Sequence, residues 1–177
     1  MTSAMEPLVT VVTTDLSAIT RGRSVPQRRL EKIADTGIGW VQANLSLTPF
    51  GPIAHPNPWG SSGDLRILPD LKARYRTAAT GSPTPFDIVP GNIVELDGTP
   101  WIGCTRTLLA QALADLKAAT GLSVVATFEQ EFQIFDGTFC EAHPFSLAAI
   151  RRVDPFASQL MAALEEAGVS PEMMIAE

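Results

Sequence analysis

The sequence predicts an α+β chain in two parts: a first hundred residues that are mostly strand around one helix, and a remainder running helix, strand, helix, strand. Three observations carry this. Short strand-like runs, the β-branched "PLVTVVTTD" and the alternating "DLRILPD" among them, recur before residue 100. The Asp97-Gly98 pair supplies a turn between two such runs. Beyond Gly103 the hairpin signals stop and the apolar spacing becomes helical, so the boundary falls near that residue, dividing 1–103 from 104–177.

Taken in order, "PLVTVVTTD" and "LSAITRGRSVP" read as the two arms of a hairpin. A helix follows in "QRRLEKIADTG", where Leu30, Ile33 and Ala34 share a face, Pro26 stands near the start and Gly37 just past the end. "IGWVQANLSLTPF" is a short apolar strand entering a loop. Between Thr48 and Gly63 the prolines and glycines leave little scope for regular structure, and a loop of this length inside a compact domain is expected to be exposed and functional. "DLRILPD" is a strand, "LKARYRTAATGSPTP" a polar, turn-rich stretch, and "FDIVPGNIVELDGTPW" two short strands.

In the second part, "CTRTLLAQALADLKAATG" is an amphipathic helix with Leu109, Ala112, Leu113 and Leu116 as its stripe and Gly121 as its stop. "LSVVATFEQEFQIFD" is expected to be a long strand, paired with the stretch around Thr138 to Cys140. "DPFASQLMAALEEAG" is a helix with Asp154 as N-cap and Pro155 in the first turn. The final "PEMMIAE" is read as the start of another strand.

Composition narrows the function. The 177 residues carry a net charge of −6 without any Lys/Arg run, which argues against a nucleic-acid footprint or an electrostatic membrane anchor. The opening residues have neither a basic stretch nor an apolar run long enough to cross a bilayer, which points to the cytoplasm. Cys104 and Cys140 lack the spacing of a zinc site or a disulfide framework. His55 and His143 read as surface residues. Ser61 and Ser62 have no base nearby in sequence, and "GSSG" is no phosphate loop because no Lys-Ser/Thr follows it.

The candidate chemistry lies in "ATFEQEFQIFD". On a strand, Glu129 and Glu131 share one face with Gln133, and Phe128, Phe132 and Ile134 share the other. A half-buried antiparallel strand would show the same alternation, so a solvated face remains open as the plain reading. The functional reading is that two close carboxylates raise each other's pKa unless a cation neutralises them. Oxygen-only ligands would select a hard ion, Mg²⁺ or Mn²⁺.

The order of the motifs decides between these. "DLSAITRGRSVP", "TPFGPIAHPNPWGSSGDLRILPD", "DGTPWIGCTRTLLAQALADL", "FEQEFQIFD" and "DPFASQLMAALEEAGVSPEMMIAE" together resemble the N-terminal part of the glutamine synthetase family, in its γ-glutamyl-amine ligase branch. The resemblance implies a β-grasp domain over 1–103. Residues 104–177 would then be the incomplete first part of a catalytic domain with a curved antiparallel sheet and helices. It also implies ATP as co-substrate, glutamate and an amine as substrates, and a homo-oligomer assembled through the N-terminal domain. The family's E-x-E motif places a ligand of the phosphate-bridging metal at Glu129 and of the glutamate-side metal at Glu131, which Glu177 would join. Asp64, in the "G-D-L-R-I-L-P-D" segment, would face a neighbouring subunit's active site as a catalytic residue. The family's Asp-Gly-Ser-Ser run for ammonium capture is replaced here by Phe50-Gly51-Pro52, which favours a larger amine than ammonia. A chain of this extent would lack most of the ATP site and is expected to be inactive. The alternative is a non-catalytic β-grasp assembly or interaction module, or a family member without activity.

Overall fold

The computed structural model describes residues 5–78, 84–135 and 142–176. A mixed six-stranded sheet organises the first hundred residues. β1 (Leu8–Thr14) and β2 (Thr20–Pro26) form the expected hairpin, with Val11 opposite Arg23. A 3₁₀ turn leads into α1 (Leu30–Thr36), which buries Leu30 and Ile33 against the sheet. β3 (Ile38–Trp40) pairs antiparallel with β4 (Leu65–Pro69), the strand read from "DLRILPD". β5 (Tyr75–Thr77) arises in the stretch expected to be turn only.

The central strand is β6 (Phe86–Val94), and it serves three neighbours. Its first half runs parallel to β1 and antiparallel to β5, and its second half runs antiparallel to β4. Pro90 and Gly91 sit where the neighbours change. A Cβ on Gly91 would lie 2.5 Å from Ile67 Cγ2 and 2.6 Å from the Leu68 carbonyl, so only glycine permits β4 to come this close. Two strands were expected over this stretch; β6 is one strand, and the Asp97-Gly98 turn returns the chain only to a single bridge between Val94 and Pro100.

The core comprises Val9, Val11, Trp40, Leu45, Leu65, Ile67, Val89 and Ile93 together with α1 and Trp101. Alternation on β4 and β6 dictates this, because every second residue faces inward. The Thr48–Gly63 loop is pinned to that core: Trp59 meets Trp101 with ring centroids 5.4 Å apart, and Gln42 Nε2 donates to the Trp59 carbonyl. Its tip, Phe50, stays exposed.

In the second part α2 (Thr105–Thr120) ends at Gly121 in the left-handed conformation, as expected. Its apolar stripe is uncovered, and no residue of the helix is buried. α3 (Leu147–Arg152) is capped by Ser146, and α4 (Phe156–Glu166) follows. Asp154 is not the cap of α4; Pro155 holds that position, and the Asp154 carboxylate accepts instead from Arg151 and Ser158.

The strand expected over "LSVVATFEQEFQIFD" is absent: residues 122–135 are exposed and belong to no ladder among the described residues. A strand exists through its partners, and alternation alone does not create one. The expected partner around Thr138 to Cys140 lies outside the described residues. "PEMMIA" likewise forms no strand, although the Phe145 amide donates to the Ala176 carbonyl at 2.8 Å.

Candidate functional site

Glu129 and Glu131 sit in the unpaired segment after α2, both exposed. Neither makes a hydrogen bond or ion pair with another described residue, which leaves their oxygens available as ligands. Glu177 lies outside the described residues. Among the described residues no group of three His, Cys, Asp or Glu side chains is close enough together to hold a metal ion. Phe132, from the opposite alternation to the glutamates, meets Phe156 of α4 edge-on, with centroids 6.1 Å apart.

Asp64 stands immediately before β4, largely exposed, and accepts from Arg66 Nη1. Phe50-Gly51-Pro52 forms the tip of the pinned loop. His55, His143, Ser61 and Ser62 are all exposed.

Three carboxylate–arginine centres escaped the sequence reading. Asp15, buried at the β1–β2 turn, accepts from Arg21 and from the amides of Ser17 and Ile19 at 2.9 Å each. Burial opposes its charge, but the Arg21 and backbone hydrogen bonds outweigh that and hold its pKa below the ordinary carboxylate value. Arg21 Nη2 also reaches the Thr48 carbonyl, so this centre anchors the root of the long loop. Asp87 on β6 accepts from Arg74 at 2.8 and 2.5 Å, a two-point contact that raises the Arg74 pKa.

The third centre joins the two parts of the chain. Arg106 at the start of α2 donates to Asp70 Oδ2 at 2.6 Å and to Asn92 Oδ1 at 2.8 Å. That contact lowers the Asp70 pKa, with burial opposing and the Lys72 amide assisting. At the other end of the second part, Glu166 of α4 accepts from Thr77 and from the Ala78 amide. Sequence holds no signal for such pairs, because their members lie 36 and 89 positions apart.

Residues 2–101 match the family described as the glutamine synthetase N-terminal domain. A solved structure described as a novel glutamine synthase homolog is 38% identical, covers 100% of this chain and superposes with a TM-score of 0.80. The chain belongs to the glutamine synthetase family. It spans 42% of that homologue's length. Two structures of GmaS, one without ligand and one with ADP, share the fold at 14% and 16% identity. Each covers 95% of this chain, over 39% and 38% of its own length, with TM-scores of 0.64 and 0.60. No curated protein matches the sequence. The glutamine synthetase N-terminal β-grasp domain is therefore the fold that the mixed sheet represents, as the ordered motifs led us to expect. Among the described residues no helix is long and apolar enough to cross a membrane.

Proposed function

We propose that this chain is the N-terminal part of an ATP-dependent glutamate–amine ligase. In that chemistry ATP phosphorylates the γ-carboxylate of glutamate, and the amine displaces phosphate from the acyl phosphate to give the amide. The observation that carries the reading is membership of the glutamine synthetase family together with the E-x-E pair at Glu129 and Glu131. Residues 1–103 would form the β-grasp domain, through which a homo-oligomer assembles, and 104–177 the opening of the catalytic domain.

The donor chemistry of this segment fits Mg²⁺ or Mn²⁺, because both side chains are carboxylates without a competing Arg or Lys among the described residues. Glu129 would hold the metal on the phosphate side and Glu131, joined by Glu177, the one on the glutamate side. Such ions neutralise charge on a transferring phosphoryl group. Phe50 at the loop tip, 93% exposed, offers an apolar surface where an ammonium-capturing aspartate would be expected. This supports an organic amine as acceptor. Asp64, exposed before β4, is available to a neighbouring subunit as a catalytic residue.

The test is turnover in a chain of the homologue's length: phosphate release that requires glutamate, ATP and one of a panel of amines. Release that depends on the amine and is lost in Glu131→Ala supports the ligase. A second reading, a non-catalytic assembly module, draws on a core that the first 104 residues nearly complete. Absence of turnover with every amine, ammonia included, favours it.

A further inference from the structure

At the free edge of β3 the chain brings two cations onto one glycine. A Cβ on Gly39 would lie 3.5 Å from Arg23 Nη1 and 3.6 Å from Arg66 Nη1. The two guanidinium nitrogens are therefore within about 7 Å of each other. They arrive from opposite sides of the sheet's open margin. Arg23 belongs to edge strand β2, where pairing with the buried Val11 turns it toward the core face, and its guanidinium lies over the Trp40 ring, 5.9 Å from the centroid. Arg66 lies on β4 directly opposite Gly39, on the other face from Leu65 and Ile67.

Like charges this close repel unless an anion lies between them. Arg66 Nη1 already donates to the exposed Asp64 carboxylate at 2.5 Å and to the Leu65 carbonyl at 2.9 Å, so an incoming anion reaches that nitrogen by displacing Asp64. Arg23 has no carboxylate partner among the described residues; its stack on Trp40 orients the head without neutralising it. The gap is open because residue 39 has no side chain, and an ordinary Cβ contact is all that an alanine would make there. In the same strand as Gly39, the buried Trp40 Nε1 also has no hydrogen-bond partner among the described residues.

We infer that Gly39 floors an oxyanion site in which Arg23 and Arg66 each donate to one oxygen of a phosphate or carboxylate group. Charge-assisted N–H···O bonds of about 2.8 Å to two oxygens of one anion span the separation of the two nitrogens. Asp64 competes for Arg66 and so tunes the affinity. The site stands on the β-grasp sheet, away from Glu129 and Glu131, and does not depend on the ligase reading.

The experiment is thermal unfolding of the 177-residue chain at low ionic strength, with inorganic phosphate, with acetate, and with sodium chloride at matched ionic strength. Phosphate is expected to raise the melting temperature by about 3 °C beyond chloride. Arg23→Gln and Arg66→Gln abolish the rise, and Asp64→Asn enlarges it. A rise with acetate as well assigns the site to oxyanions generally, and a rise with phosphate alone to phosphoryl groups. A second arm needs no ligand: Gly39→Asp places a carboxylate between the arginines and is expected to melt above Gly39→Asn, a difference that vanishes in Arg23→Gln. No rise over chloride, a rise that survives Arg23→Gln, or equal melting of the two Gly39 variants overturns the site.

Discussion

Between Val9 and Trp101 one set of apolar residues closes into a core: Val9, Val11, Ile67, Val89 and Ile93 are all at 0% exposure. Beyond Ile102 residues of the same character stand open, with Leu109 61% and Phe128 82% exposed. Hydrophobicity is common to both regions, so it does not explain the difference. The first region supplies a sheet and a helix that present apolar faces to each other, which is the minimum for a core. The second supplies three helices and a strand pattern that, among the described residues, bury little apolar surface: no residue of α2 or α4 is buried, and the strand pattern meets α4 only where Phe132 touches Phe156. It is held to the first by polar ties, Arg106 to Asp70 and Glu166 to β5, and by few buried side chains.

Ile67→Ala removes a side chain at the centre of the sheet and is expected to cost about 2–5 kcal/mol in urea unfolding. Asp15→Ala leaves Arg21 and the Ser17 and Ile19 amides without their acceptor, an expected loss of about 1.5–3 kcal/mol by the same measurement. A loss as small as that of a surface change would remove Asp15 as the anchor of the long loop.

Asp70→Asn tests the tie between the regions. Its folded pKa lies below the unfolded value, so its contribution is fully present above the unfolded pKa, about 4, and is lost as pH falls through the folded one. The variant should therefore melt below the parent at pH 7 and converge with it in acid. The pair is partly exposed, and the difference at pH 7 should not exceed about 1 kcal/mol. Smallest of all, Leu113→Ala on the uncovered stripe of α2 should change stability by no more than about 0.5 kcal/mol. A larger loss would mean that α2 is covered in solution.

The same contrast separates what was legible in the sequence from what was not. Hairpin β1–β2, α1, β4 and α2 follow local signals, and their residues alone specify them. β5 was missed because "YRT" sits in a polar stretch and is a strand only through its pairing with β6. The second strand expected after the Asp97-Gly98 turn does not form, because the returning chain meets β6 only at the bridge between Val94 and Pro100. Over residues 122–135 the error ran the other way: a clear period of two formed no strand, since no described partner receives it. For the candidate site, the Glu129 and Glu131 pair was visible as a motif. The arginine–aspartate centres and the Gly39 cradle join residues from different strands, and only the folded sheet brings them together.

The most direct test of the ligase reading is Mn²⁺ binding by calorimetry in a chain of the homologue's length, comparing the parent with Glu131→Gln. The account predicts binding that the substitution weakens at least about tenfold while the unfolding of the β-grasp region is unchanged. Equal affinity in the two proteins would contradict it.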